Sequence, residues 1–431
     1  MSSSLHLRAP IMRLGTMGVL WALRAIGLMI APTCVLACLA PLYASAPQEP
    51  SEPLTLDAAI SRALAANPDL AAARLARSID AAGLAVAAER PNPDVSIEVE
   101  KEAPRQAFAV SWPLELGGKR GKRIAVGRAA LGATEADLRG LVLQMRNDVR
   151  RRYSDAVVAD AKLGVLRELR DVAERATATA QTRFERGDAP RLEVLQAALA
   201  LDAADTETSA AAGVVGAARA KLNALLALPL ESTQPLTTSM DASGEIVTSA
   251  MVARARAAST ELALADRRID EQRAKASLAR ALRVPDATPT ATLTHGAEPE
   301  FTYGWRAGLS ITLPVLTTHQ AGVVVEDARL AQLAAQREAM LQRVVGDVTA
   351  ASALAEAQRQ ASVRYHDVIV PRAKQVEEMA QDSYRLGQTG LPALLQALQA
   401  SRDVRLRALD AVAQFQSGVA DLERAVGAPL P

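Results

Sequence analysis

The sequence predicts a mainly α-helical chain with a small β part, in which long antiparallel helical hairpins meet four amphipathic strands. Three observations carry this. Between about Arg120 and Glu185 there is no proline, and Leu138, Val142, Met145, Val149, Tyr153 and Ala156 step by three or four residues, the spacing of one helical face. Two segments, at about 93–114 and 287–315, change instead to alternation of apolar and polar residues. The whole layout then occurs twice within 431 residues.

The repeat sets the domain organisation. Phe184-Glu185-Arg186-Gly187 matches Tyr384-Arg385-Leu386-Gly387, and Leu195-Gln196-Ala197 matches Leu395-Gln396-Ala397, both at an offset of 200. Upstream, Asn67-Pro68-Asp69-Leu70 parallels Ser259-Thr260-Glu261-Leu262, and Pro93-Asp94 parallels Pro285-Asp286, at an offset of 192. A first structural repeat is therefore expected over 38–228 and a second over 246–431, joined by a linker, 229–245, rich in Ser, Thr and Pro.

Each half runs through the same elements in the same order. Thr55 is placed to cap a short helix that stops near Pro68, and a second helix is expected from about Asp69 to Arg90. In the first hairpin Val95, Ile97 and Val99 alternate with Ser96, Glu98 and Glu100. After a turn near Pro104, Phe108, Val110 and Trp112 alternate with Ala107, Ala109 and Ser111. In the second hairpin Tyr303, Trp305, Ala307, Leu309, Ile311 and Leu313 face one way, while Gly304, Arg306, Gly308, Ser310 and Thr312 face the other. Each strand is read as about ten residues, the length at which a tilted strand crosses a bilayer. The apolar face would meet lipid and the polar face a lumen.

Beyond each hairpin comes a long helix, about 100 Å for the first at 1.5 Å per residue. Its partner, from about Gln320 to Leu386, contains Pro371, which predicts a local bend. The helix before the first hairpin and the one from Pro190 to Leu228 together nearly match the long helix, so stacked end to end they would run alongside it. Four strands cannot close a barrel, and open strand edges are not tolerated in lipid. Subunits are thus expected to pool their strands, three chains giving twelve.

Composition and the N-terminus narrow the setting. Aromatic residues make up only 3% of the chain while charges make up 23%, as in long helices with small-residue seams rather than compact cores. A net charge of +1 argues against a general nucleic-acid binder. Arg13 and Arg24 precede an apolar stretch, Ala25 to Ala37, that is short for a bilayer span and reads as an export signal over 1–37. Val35-Leu36-Ala37-Cys38 resembles a lipoprotein box, with Cys38 the acylated residue. Ala44-Ser45-Ala46 offers an alternative cleavage site near 46, hindered by Pro47.

Leu54-Thr55-Leu56-Asp57-Ala58-Ala59-Ile60 followed by Asn67-Pro68-Asp69-Leu70, the Phe184-x-x-Gly187 turn with its copy at Tyr384-x-x-Gly387, and the twin hairpins together resemble the TolC family of outer-membrane efflux proteins. Pro113-Leu114-Glu115-Leu116-Gly117-Gly118-Lys119-Arg120 is similar to the corresponding segment of its cobalt-zinc-cadmium resistance branch. The resemblance implies a homotrimeric, passive exit duct for heavy-metal cations, with a β-barrel in outer-membrane lipid and an α-helical barrel in the periplasm. It also implies two protein partners, a periplasmic adaptor and an inner-membrane pump of the resistance-nodulation-division class. It puts the two glycine turns at the periplasmic tip, where the adaptor docks. Gly187, Asp188, Arg191 and Glu193 are the candidates in the first repeat and Gly387, Gln388 and Thr389 in the second, with Ala393 and Gln396 at the constriction. Some family members are acidic at the constriction, where this chain has Ala393 and Gln396 in the second repeat; Glu193 in the first repeat is acidic.

Other conspicuous residues point to no chemistry. His6 lies in the leader, and His295, His319 and His366 have no second ligand at metal spacing. No GxSxG, HExxH or phosphate loop is present, so neither an enzyme nor a cofactor is expected. Lys119, Arg120, Lys122 and Arg123 oppose the dipole of the helix they begin and read as a solvated junction or a signature of chain geometry, or else as a cluster under the barrel that tunes lumen charge. The competing reading of the whole chain is a periplasmic adaptor or other coiled-coil protein of an export complex, although adaptors normally carry one helical hairpin.

Overall fold

In the computed structural model the residues described are 53–237 and 244–430. The expected leader 1–37, Cys38 and the alternative cleavage site near 46 lie outside them. The first repeat begins with α1 (Leu56–Ala66), capped by Thr55, whose side chain accepts from Ala58 N, and α2 (Pro68–Ala87). Strands β1 (Asp94–Val99) and β2 (Gln106–Ser111) follow, then the 67-residue α3 (Lys119–Glu185) and α4 (Arg191–Leu225). The second repeat restates this with α5 (Thr248–Ala258), α6 (Thr260–Ala281), β3 (Ala287–Ala297) and β4 (Phe301–Ile311). It continues with α7 (Gln320–Arg364), α8 (Val370–Arg385) and α9 (Leu391–Val426). A π turn, Tyr365–Ile369, joins α7 to α8. It sits just before Pro371, which has no N–H to return to the carbonyl four residues back, so the ladder is re-spaced where the sequence predicts a bend.

The four strands form one antiparallel sheet in the order β1-β2-β3-β4. Its register is what gives the faces meaning. Ile97 pairs with Phe108, Phe108 with Leu293, and Leu293 with Trp305, so one apolar row crosses all four strands. Glu98, Ala107, Thr294 and Gly304 form the corresponding row on the other face. The alternation read from the sequence therefore holds across the sheet. The strand lengths do not: β3 and β4 have 11 residues each, but β1 and β2 only six. Thr312 and Leu313 fall beyond the end of β4.

Long helix α3 packs against α1, α2 and α4 on one side and α6 and α9 on the other, while α7 lies against α6 and α9. The predicted stacking is present in a specific form. Arg62 and Asn67 donate to the carbonyls of Leu226 and Leu225, so the α1–α2 junction closes the end of α4. In the second repeat, Ser259, the counterpart of Asn67, caps α6, and a Cβ on Gly427 at the end of α9 would meet Ser259 Cα at 2.5 Å. Two matching cores follow. One gathers Ile60, Val149, Tyr153 and Leu222 from α1, α3 and α4, and the other Val348, Phe415, Val419 and Leu422 from α7 and α9. The linker is tied down at its near end, where Leu54 pairs with Leu236 and the Tyr153 hydroxyl donates to Leu54 O at 2.6 Å.

In the basic run at the start of α3, Lys122 is exposed, but the other three cations are held by partners. Lys119 is only 6% exposed and pairs with Asp286 at 2.7 Å, ahead of β3. Arg120 donates to Ala88 O at 2.7 Å and Arg123 to Glu89 O at 3.1 Å, and Arg123 also pairs with Glu115. These cations oppose the dipole of α3, but Arg120 and Arg123 complement the C-terminus of α2, where they bond the carbonyls of Ala88 and Glu89 just past its last residue. The cluster joins two helices and the foot of the sheet.

Candidate functional site

Both glycine turns are built alike. Gly187 has φ +83° and Gly387 φ +72°, values that favour glycine. Gly187 N donates to Phe184 O and Asp188 N to Arg183 O, at 2.9 and 2.8 Å. Gly387 N to Tyr384 O and Gln388 N to Ser383 O repeat this at 3.0 and 2.9 Å. The paired bonds close the ends of α3 and α8 and turn the chain directly into α4 and α9. Nothing lies within 4 Å of a Cβ placed on either glycine, so conformation rather than close packing demands them.

The candidates divide by exposure. Gly187, Asp188, Arg191, Gly387 and Gln388 are exposed, as are Ala393 and Gln396 on the first turns of α9. Thr389 is partly buried, with its Oγ1 unpartnered. Glu193 differs: its side chain is 13% exposed, lies 3.2 Å from Arg183 and accepts the Tyr384 hydroxyl at 2.8 Å. Arg183 also sits over the Tyr384 ring, 5.3 Å from its centroid. The acid retained in the first repeat is thus spent on a bond that ties α4 to α8 and so joins the two turns. Burial pushes the Tyr384 phenol up to about 12, and the Glu193 carboxylate adds to it. Beneath this contact Ala180, Ala197, Leu391 and Leu394 form a third core shared by the two repeats.

Neither Arg183 nor Tyr384 is evident as a functional residue from the sequence. The available signal is the mismatch within the repeat, phenylalanine at 184 against tyrosine at 384. Phe184 is 40% exposed and Tyr384 2%, because only the tyrosine hydroxyl has an acid from the other hairpin to bind.

At the sheet, the apolar row is largely uncovered: Ile97 is 72% exposed, Leu293 63% and Trp305 78%. Strands β1 and β4 each leave one edge unpaired. Among the described residues no helix is long and apolar enough to cross a membrane. No group of three or more metal-ligating side chains converges among them either. His366 contacts Asp367 at the surface, and His295 packs against Tyr303 with the rings tilted by 53° and their centroids 4.6 Å apart.

Comparison with known proteins adds to this geometry. Residues 59–228 match the family model described as outer membrane efflux protein. The cobalt-zinc-cadmium resistance protein CzcC of Cupriavidus metallidurans is 24% identical over 386 residues, which span 88% of this chain and 92% of the relative. Among solved structures, the CusC channel superposes with a TM-score of 0.72 at 18% identity, covering 86% of this chain and 92% of its own. The outer-membrane channel OprN superposes with a TM-score of 0.69 at 18% identity, covering 86% and 89%. The second repeat, outside the matched segment, carries the same elements and the same turn. Residues 59–228 thus carry the outer membrane efflux protein model, and the chain, similar over most of its length to a heavy-metal resistance protein, resides in the outer membrane with a large periplasmic part.

Proposed function

We propose that this chain is the passive exit duct of a tripartite efflux system for heavy-metal cations and works as a homotrimer. The observation that carries the reading is the sheet: four strands, one continuous apolar face and two unpaired edges. In lipid those edges must be paired, and three copies in a ring supply twelve strands for a closed barrel. The long helices then line a periplasmic passage that ends at the turns around Gly187 and Gly387. Asp188, Arg191, Gln388 and Thr389 lie where a periplasmic adaptor would dock, and Ala393 and Gln396 where the passage narrows. An inner-membrane pump supplies the energy, and the duct itself catalyses nothing. Cobalt, zinc and cadmium are the proposed cargo on the strength of the CzcC relationship. Acylation at Cys38 would anchor the mature N-terminus to the outer membrane.

The test is deletion of the gene with complementation. Loss of tolerance to these cations, restored together with a heat-resistant trimer in the outer-membrane fraction, is the expected result. A monomeric soluble product, or unchanged tolerance, would overturn it.

A further inference from the structure

The polar face of the sheet carries its charges on the two unpaired edge strands. On β1 these are Asp94 and Glu98, followed by Glu100, whose N–H continues the ladder to Arg105 O at 2.9 Å; on β4 the charge is Arg306. Between them, Ala107, Ala109 and Ser111 of β2 and the threonines of β3 carry none. Glu98, Glu100 and Arg306 are exposed, and none of their side chains has a partner among the described residues. Arg105, opposite Glu100 in the turn, and the nearby Glu102 are exposed and form no ion pair either. One open edge is therefore acidic and the other basic, and a single chain does not bring them together.

Strand direction allows the edges to meet between copies. All three ladders are antiparallel, so β4 of one copy and β1 of the next would pair antiparallel as well. Charge selects that pairing over the alternatives. Two β1 edges would set acids against acids, which destabilises a ladder, and two β4 edges would bring no acid to Arg306. What remains is head-to-tail pairing, which closes into a ring. Beneath the β1 edge, α2 packs chiefly on α3 and leaves Leu75, Ile79 and Val86 exposed, so the side that awaits a neighbour continues below the sheet.

Tilt sets the register. Without any stagger Arg306 stands level with Ser96, through Thr292 and Ala109. Strands tilted by about 35–45° in a closed barrel are displaced by about four to six residues over each group of four. Only an even displacement keeps the apolar face continuous. The repeat gives the direction: Asp286, the counterpart of Asp94, lies nearer the helices than Thr290, the residue level with Asp94. Continued in the same sense, a shift of about four residues puts Arg306 opposite Glu100 and one of about six puts it opposite Glu102. We propose that Arg306 of one copy and Glu100 and Glu102 of the next form the ion-paired seam that selects the edges and sets the register at which the barrel closes. This rests on the homotrimeric reading and adds to it the residues that join the copies.

Charge reversal in the full chain tests the seam, with trimer in the outer-membrane fraction scored on unheated gels. Arg306→Glu should lower the trimer severalfold, and so should Glu100→Arg with Glu102→Arg, because each sets like charges across the seam. All three reversals in one chain should restore most of the native yield, since the pairing is only turned round. Thr288→Glu, a new charge on the same face of an inner strand, should leave the yield unchanged. Reversals that leave the trimer at its native level, or losses that the combined chain does not recover, would overturn the proposal while the homotrimer stands. A native chain that forms no trimer would reject the homotrimeric reading and the seam with it.

Discussion

The side-chain amide of Asn67 donates to the carbonyl of Leu225 at 3.1 Å, while its Oδ1 accepts from Asp69 N and Leu70 N at 2.9 and 3.2 Å. One residue therefore closes α4 and opens α2, which lets two shorter helices run against α3 as a nearly continuous partner. Losing a cap costs about 1 kcal/mol and losing a buried hydrogen bond about as much. Asn67→Ala should therefore destabilise by about 2 kcal/mol. Asn67→Ser, which keeps the cap but cannot reach Leu225, should lose about half. Thermal melts followed by circular dichroism test this, and equal losses in the two variants would reject the double role.

The sheet predicts opposite outcomes for adjacent residues. Leu309 stands 64% exposed on the apolar face opposite Pro289, whereas Ser310 belongs to the other face with Thr288. A charge facing lipid at midplane costs about 2–4 kcal/mol, and one facing a lumen little. Leu309→Arg should reduce the yield of outer-membrane trimer several-fold and Ser310→Arg should not. Equal yields would mean that the faces are reversed or that the sheet is not in lipid.

Acid should loosen the far end of the linker. Glu356 on α7 accepts from Ile246 N at 3.2 Å and pairs with Arg359 at 2.8 Å. The Arg359 bond chiefly, helped by Gln360 and Ile246 N, holds its carboxyl down at about 2, from an ordinary 4.5. A carboxyl depressed in the fold stabilises above its unfolded pKa, and that contribution is lost as pH falls from about 4.5 through about 2. The protection of the Ile246 amide, its exchange rate measured against the intrinsic rate at the same pH, should fall over this window in the native chain. In Glu356→Gln that protection should already be reduced at neutral pH and flat across the window; a native-like acid profile of protection in that variant would reject the assignment.

The bond between Tyr384 and Glu193 separates the two repeats' roles at the tip. Tyr384→Phe keeps the ring under Arg183 and removes only the hydroxyl, for a loss of about 1–2 kcal/mol. The native phenol, raised from 10 to about 12, lends stability that is complete below pH 10 and lost as pH rises through about 12. The variant should lack that alkaline step in its melting temperature. An unchanged step would assign it to another tyrosine.

Much of this architecture is legible in the sequence because it is periodic. The 3.6-residue step fixes α3, alternation fixes the strand faces, and the offsets of 192 and 200 align Asn67 with Ser259 and Gly187 with Gly387, pairs that play the same parts in the structure. What is not legible depends on partners distant in the chain. The basic run at 119–123 looks mismatched with its own helix until Ala88, Glu89 and Asp286 are brought to it. Glu193 reads as a free acid at a passage because Arg183 precedes it by ten residues and Tyr384 follows by 191. The short β1 and β2 are missed because alternation persists beyond the last ladder pair, through Trp112, whose N–H still reaches Pro289 O at 3.0 Å.

The turns give the sharpest test of where the protein meets its partners. Gly187 and Gly387 take left-handed φ values at exposed positions with open space around the missing Cβ, so substitution strains the backbone without creating a clash. A β-branched residue forced into that conformation costs about 1–2 kcal/mol per turn. That is a small charge against helices anchored along α3 and the two matching cores, and the sheet lies at the opposite end of α3, about 100 Å away at 1.5 Å per residue. Gly187→Val with Gly387→Val should therefore leave outer-membrane trimer at normal levels while it displaces Asp188, Arg191, Gln388 and Thr389. Crosslinking of the tip to the adaptor and tolerance to metal should fall together. Asparagine at both positions, which tolerates the left-handed region, should restore most of each. Full tolerance with normal crosslinking in the valine pair would reduce the turns to ordinary helix ends. Loss of the trimer itself would move their role from docking to folding.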